Sequence, residues 1–405
     1  MKILGRTGEP YGMATRLPDS EFDRRLDKVR EKIRGQGADA GVWFGATSIE
    51  YLTGFDHIQT ERPVVLAVTD ERIEITVPRL EVERVEPNPR IDAVHHYFDY
   101  PGGKPIRVAA EMLSELGAET VAADIDGAPG VMGYNGPALS EFVEVESQGW
   151  VSRMRWAKTD TEIDLIRESV KWGNLAHRYL ADYTEPGAHP ATVSQRASTD
   201  ASRAMLDTLG GEYVPRTRGD GPAFAGYITG PQTALPHGHT ANRRIEEGDV
   251  LITGAAANVD GYHSELERTM FVGEPTDEQE HYFELMLESQ TIAIDALGPD
   301  VPLSYVDQQV WDYFEEQGVT DLARHHVGHN IGMGGHEPPY IDRGWGDHAD
   351  DDDAKMEPGH VYTIEPGLYT DTDGYRHSDT VVITENGTEI LTYFPRDLES
   401  NVITW

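Results

Sequence analysis

The sequence predicts an α+β protein in two parts: a smaller α/β domain, then a larger α+β domain. Three observations carry this. The chain has 405 residues, enough for two hydrophobic cores. Short apolar strands alternate with amphipathic helices up to about residue 150. Beyond Trp156-Ala-Lys158 the pattern changes to two long helices, then strands interrupted by two more. The boundary is expected near residue 157, giving domains 1–157 and 158–405.

In order along the chain, residues 19–36 read as a helix. Asp19 and Ser20 are cap candidates, Leu26, Val29 and Ile33 recur at helical spacing, and Gly35 and Gly37 can stop it. Residues 40–45 form a short apolar strand, followed by a helical turn through Ile49, Tyr51 and Leu52. Residues 63–69 and 73–78 are strands joined by a polar turn. A helix near 104–116 precedes a strand at 119–124. The long helix over 159–184 shows Ile163, Ile166, Val170 and Leu175 on its apolar face. A second helix spans roughly 189–209. From Ala223 onward strands predominate, with helices near 276–297 and 304–318. The run Asp350–Asp353 reads as a solvated turn.

The formal net charge is −37, from 71 acidic and 34 basic residues, and only seven of the basic residues are lysine. Such a field repels nucleic acid and anionic membranes, so neither is an expected partner. The acidic residues are spread along the chain, as on a solvated surface adapted to high salt. With 38% hydrophobic residues the composition is that of a globular protein. The sequence has no cysteine, which excludes disulfides, zinc–thiolate sites and thiol nucleophiles. No apolar run approaches the roughly 18 residues of a membrane span, and Met1–Arg6 opens no signal-peptide core. The expectation is a cytoplasmic protein.

The chemistry concentrates after residue 235. Glu265 and Glu267 are two apart on a predicted strand, so both carboxylates leave one face, with Leu266 on the other. Four segments surround them in sequence: Gly248 to Thr269 with Gly254 and Gly261, Gly328-His-Asn-Ile-Gly332 running to His336-Glu-Pro338, Thr363-Ile-Glu-Pro-Gly-Leu368, and Gly374-Tyr-Arg-His-Ser-Asp379. Together they resemble the "pita-bread" family of methionine aminopeptidase, Xaa-Pro peptidases and creatinase. The segment Ser48-Ile-Glu-Tyr-Leu-Thr-Gly54 and Arg153-Met-Arg-Trp-Ala-Lys158 resemble the smaller domain of creatinase and prolidase.

The resemblance implies a pita-bread C-terminal catalytic domain behind a creatinase-like α/β domain, paired as a homodimer. Metallopeptidases of this family hold two metals through Asp, Asp, His, Glu and Glu. Those positions fall here on Gly254, Glu265, His329, Glu365 and Ser378, so two carboxylates are missing and one is longer. His377 adjoins Ser378, but neighbours on a strand face opposite ways. A two-metal site is therefore not expected. The stretch Leu266-Glu-Arg-Thr269 reads as it does in creatinase, which splits a C–N bond without metal and uses that Glu to hold a guanidinium. By the same resemblance His237 is the general acid/base, and Glu267, His329 and Glu365 are catalytic. His336 donates to an oxyanion or binds a substrate carboxylate, and Arg376 pairs with such a carboxylate.

Three functions are open at this point. The first is a metal-independent C–N hydrolase acting on a small cationic substrate, creatine- or ectoine-like, that needs no cofactor. The second is an Xaa-Pro dipeptidase or aminopeptidase with one rebuilt ion site, in which Glu265, His329 and Glu365 hold Mn, Fe or Zn. The third is a non-catalytic binding module.

Overall fold

A computed structural model describes residues 15–127, 133–211, 213–217, 221–240, 242–347 and 355–405. Met1–Arg6 and the run Asp350–Asp353 lie outside the described residues. The described residues divide into two compact units, Pro18–Arg155 and Trp156–Trp405.

The smaller unit is a six-stranded sheet of β1 (Ala40–Trp43), β2 (Val65–Val68), β3 (Ile73–Pro78), β4 (Ala93–Tyr97), β5 (Thr120–Ala123) and β6 (Glu144–Ser147), in the order β4-β3-β2-β1-β5-β6. Its helices are α1 (Asp19–Gln36), α2 (Ala46–Thr53), α3 (Val82–Val85), α4 (Pro105–Glu115) and α5 (Trp150–Met154). Gly37 ends α1 with φ 77°, a left-handed conformation that costs glycine little. Ala40 and Val42 of β1, Val65 and Ala67 of β2 and Val121 and Ala123 of β5 pack with Ile106, Ala109, Met112 and Leu113 of α4 into one core.

The larger unit opens with α6 (Asp160–Tyr183) and α7 (Pro190–Leu209). Thr159 starts α6 through a capping box: its hydroxyl accepts from the Glu162 amide, and the Glu162 carboxylate accepts from the Thr159 amide at 2.8 Å. The strands are β7 (Ala223–Thr229), β8 (Val250–Val259), β9 (Tyr262–His263), β10 (Leu266–Val272), β11 (Gly328–Asn330), β12 (Glu337–Ile341), β13 (Val361–Ile364), β14 (Gly367–Tyr369), β15 (Gly374–Arg376), β16 (Ser378–Thr384), β17 (Gly387–Ile390) and β18 (Val402–Ile403). The main path of the sheet runs β12-β11-β13-β16-β10-β8-β7. Helices α8 (Asp277–Ala296) and α9 (Leu303–Gln317) bury Phe283, Met286, Leu303, Val310 and Phe314 against Tyr362, Ile364 and Val381.

Alternation along the strands decides which face is left for chemistry. His177 of α6 reaches Thr253 on β8 at 2.7 Å, and Gln290 of α8 reaches Asp379 on β16 at 3.0 Å. Their neighbours Gly254 and Ser378 therefore point away from those helices. Arg268 and Asp379, on the helix side, are fully buried and paired at 2.8 Å. The Arg268 guanidinium also donates to the carbonyls of Glu267, Ser378, Phe394 and Pro395. It rivets β10 to β16 at the backbone of Glu267 and Ser378.

Candidate active site

Three strands meet in register at one row. Glu267 on β10 lies opposite Gly254 on β8 and opposite Ser378 on β16. Residues paired across strands share a face, so Glu267 stands between the two positions where the resemblance expected missing carboxylates. Glu265, two residues earlier, shares that face. The next strand beyond β16 is β13, which delivers Glu365 just past its end, and β11 beyond it delivers His329. The His329 amide is fixed by the Thr363 hydroxyl at 3.2 Å, and the Glu365 amide by the Val327 carbonyl at 2.7 Å.

Glu265, His329 and Glu365 converge, each offering one ligand atom with all of them within 4.8 Å of one another. His329 Nε2 lies 3.2 Å from Glu365 and 3.9 Å from Glu265. Its Nδ1 is 3.1 Å from the Asn330 carbonyl, an arrangement that places the Nδ1 proton on the backbone and turns Nε2 toward the carboxylates. Burial raises the Glu265 pKa well above the carboxylate range, and the charges of Glu365 and Glu267 add to it. Burial also opposes a charge on His329, but the Glu365 hydrogen bond and the Glu265 carboxylate outweigh it and lift its pKa to about 9. Glu365 is held below the usual range: burial works the other way, and the His329 contact prevails. Two carboxylates and an imidazole thus share a requirement for one positive charge. A proton on His329 meets it, and so would a divalent ion.

One ion fits this donor set: oxygen and imidazole ligands, a preoriented histidine, and a second carboxylate oxygen on Glu265 tied to the Ser378 hydroxyl at 2.8 Å. A second ion does not. Gly254 has no side chain, the Ser378 hydroxyl is donated to Glu265, and Glu267 is already clasped by Arg376 at 2.5 and 2.9 Å.

Both residues of that clasp were expected to face a substrate, and here they face each other. Arg376 does not hold its fork out for a substrate carboxylate. It spends Nε and Nη2 on Glu267, and Nη1 on the Pro236 carbonyl at 3.1 Å and the Tyr369 hydroxyl at 2.9 Å. Glu267 in turn presents no unpaired carboxylate for a substrate cation, because a bidentate guanidinium already satisfies it.

His336 is exposed, and its ring packs at a tilt of 32° against His329 with centroids 4.0 Å apart. His237 is exposed on the turn after Thr233 and Ala234, one residue from the Pro236 carbonyl that Arg376 holds. Burial, and after it the neighbouring His329, lowers the His336 pKa. His239 is exposed, and His377 is buried on the helix side against Phe283. Sequence reasoning gave no role to four neighbours. His326 and Tyr340 pack with His336 at 5.7 and 5.4 Å, forming one wall of the site. Tyr369 bridges Arg376 to His325, whose Nε2 is 2.8 Å from the tyrosine oxygen. The histidines were visible in the sequence, but nothing at a fixed spacing marked either tyrosine.

Residues 164–385 match metallopeptidase family M24, and residues 25–154 match the creatinase/prolidase N-terminal domain. An uncharacterized peptidase of Bacillus subtilis is 25% identical over 92% of this chain and 99% of its own length. An Xaa-Pro dipeptidase of Pyrococcus furiosus is 30% identical over 64% of this chain and 69% of its own. Among solved structures, the Xaa-Pro dipeptidase from Bacillus anthracis superposes with a TM-score of 0.76 at 23% identity, covering 93% of this chain and 99% of that one. The X-Pro aminopeptidase from Thermotoga maritima gives 0.76 at 22% identity, covering 94% and 99%.

Proposed function

The chain belongs to metallopeptidase family M24, and from that premise we propose that it is a proline-directed peptidase of Xaa-Pro dipeptidase or aminopeptidase type working with a single cation site. It is a hydrolase of C–N bonds on the pita-bread fold, with a creatinase-like domain N-terminal to it in sequence. The domain division at residue 157 is part of the proposal, since the two family matches fall on either side of it. Among the described residues no helix is long and apolar enough to cross a membrane.

The observation that carries the proposal is the convergence of Glu265, His329 and Glu365, with His329 oriented by its own backbone. An ion held there would act as a Lewis acid on the scissile carbonyl and make a nearby water more acidic. Everything else is work for the chain. Glu265 and Glu365 supply the negative charge that binds the ion and can accept a proton from an attacking water. His336, against His329, is assigned to hydrogen-bond the carbonyl oxygen as charge builds on it. His237 is assigned to protonate the leaving nitrogen, which for a peptide bond to proline departs as a secondary amine. Arg376 and Glu267 position this machinery, because Arg376 fixes the carbonyl next to His237. The homodimer belongs to the same proposal and is checked by light scattering after size exclusion.

A metal-free reaction on a cationic substrate is the weaker reading. Glu267 and Glu365 were its two carboxylates, and each already has a protein cation, Arg376 or protonated His329. A substrate panel separates the two. Xaa-Pro dipeptides and longer Xaa-Pro peptides are expected to turn over with added Mn, while creatine and ectoine are not. Turnover of creatine or ectoine without Xaa-Pro cleavage would reject the proposal.

A further inference from the structure

The face of β11 and β12 turned away from the candidate site carries a buried ionic cluster that the proposed reaction does not use. Along this hairpin His329 pairs with Tyr340, but the next residue, Asn330, pairs with Glu337, so Pro338 and Pro339 bulge out of the ladder. In a regular ladder the place two steps from Tyr340, on the face of His329, would fall to Pro338; the shift gives it to His336. That is how the two imidazoles come to lie with centroids 4.0 Å apart. Asn330 and Glu337 point the other way, and there the Lys158 ammonium donates to both: to the Asn330 side-chain oxygen, and to Glu337 Oε1 at 3.3 Å. All three side chains are buried. The second Glu337 oxygen accepts from the Gly334 amide at 3.1 Å, inside the loop that leads to His336. Lys158 itself is anchored, its amide donating to the Gly359 carbonyl at 2.8 Å just before β13. The space around the cluster is full: a Cβ on Gly332 would come within 2.7 Å of both Lys158 Cε and Glu337 Oε1.

We propose that Lys158 is a positioning residue for the reaction, holding the shifted register of β11 and β12 and thereby the place of His336 beside His329. Strand β11 is fixed independently, since Asn330 pairs with Tyr362 of β13 and the His329 amide is held by Thr363. Strand β12 ends the sheet path, and among the described residues β11 is its one strand partner, so its register depends on that ladder and on the lysine. A buried ammonium between an amide oxygen and a carboxylate ties the two strands by charge-assisted hydrogen bonds. The strands cannot slip without leaving a buried charge unmet. The inference rests on the proposed role of His336 at the substrate carbonyl, where a displacement of about 1 Å costs on the order of a hundredfold in rate. Loss of the lysine should spare the ion ligands, which β11 and the ends of β10 and β13 carry, and strike the step that needs His336.

The test is a double-mutant cycle on the full-length, Mn-loaded protein: wild type, Lys158→Met, His336→Ala and the two combined. Each is read as kcat and KM on an Xaa-Pro dipeptide and as Mn affinity. Lys158→Met is expected to lower kcat at least about tenfold, with KM and Mn affinity each changed less than about threefold. In the His336→Ala background the same change should cost less than about twofold, because the residue through which it acts is gone. Equal factors in both backgrounds, or a loss of Mn affinity matching the loss of kcat, would overturn the inference. Should Lys158→Met fail to fold, Asn330→Ala opens the same clamp without stranding a carboxylate and goes through the same cycle, with the same expected and refuting results. Crystallography supplies a reading that needs no turnover. In the variant the 4.0 Å separation of the His329 and His336 rings should widen by about 1 Å or more, and an unchanged pair would overturn the inference. A wild type that leaves Xaa-Pro dipeptides intact, with the rings parted in the variant, would reject the peptidase reading and support this one.

Discussion

Replacing Arg268 with methionine is expected to bring the larger unit close to unfolding, although this side chain touches neither substrate nor ion. It sits at 0% exposure and donates to Asp379 at 2.8 Å and to the carbonyls of Glu267, Ser378, Phe394 and Pro395 at 2.6 to 3.0 Å. Removing it strands the Asp379 carboxylate, which is 1% exposed and, among the described residues, keeps Thr392 and Gln290 as side-chain partners. An unpaired buried charge of this kind costs about 3–5 kcal/mol. Each carbonyl that no other donor can reach adds about 1 kcal/mol or more. The sum is roughly 5–8 kcal/mol, a large share of the ~5–15 kcal/mol that typically holds a domain folded. Urea unfolding followed by tryptophan fluorescence measures it directly. Asp379→Asn, which removes the charge but keeps the shape, should lose less, about 2–3 kcal/mol. A loss below about 2 kcal/mol for Arg268→Met would refute the view that this guanidinium rivets β10 to β16.

Acid should destabilise the protein through two buried neutral histidines. Burial, with Arg268 near His177 and Lys158 near His360, pushes both pKa values down to about 3. The unfolded chain takes up those protons below about pH 6.5 while the folded chain does not, so their contribution is whole above 6.5 and falls away toward 3. At about pH 4.5 the loss is roughly 2–3 kcal/mol for each, readable as a lower urea midpoint, and a midpoint unchanged from pH 7 would contradict it. Screening should stabilise a chain of net charge −37: raising salt from about 0.1 M to about 1 M shortens the Debye length from about 10 to about 3 Å, and the melting temperature is expected to rise. Strand β7 ends the sheet path, and the hydroxyls of Ser198 and Ser202 on α7 bond both the amides and the carbonyls of Ala225 and Ala223. Changing both serines to alanine should cost about 2–4 kcal/mol and increase aggregation in light scattering; an unchanged melt would show that water satisfies this edge equally well.

Much of the fold was legible because local signals agreed. The glycine at 37 and the apolar spacing of α1 and α6 placed those two helices within a residue or two, and the ranges expected for α7, α8 and α9 hold to the same margin. The strands that escaped notice, β4 and β6, are the two edges of the smaller sheet. Their residues are mostly half-exposed or exposed, so they lack the apolar alternation that marks a strand. In the site, the Glu265/Glu267 face could be read from spacing, and His329, Glu365 and His336 from their segments. The partners of those residues could not. That Glu267 lies opposite both Gly254 and Ser378 depends on the register of three strands from distant parts of the chain. That Arg376 turns to Glu267 rather than to the open site depends on Tyr369 and Pro236, which reach it only in the folded protein.

The most direct measurement is the hydrolysis rate of an Xaa-Pro dipeptide as Mn is returned to thoroughly chelated enzyme, with bound metal counted at every step. The rate should climb from near zero and level off at one ion per chain, and Glu365→Gln should abolish both the binding and the rate. Full turnover by enzyme with no bound metal, unaffected by chelator, would contradict the assignment of Glu265, His329 and Glu365 to a cation.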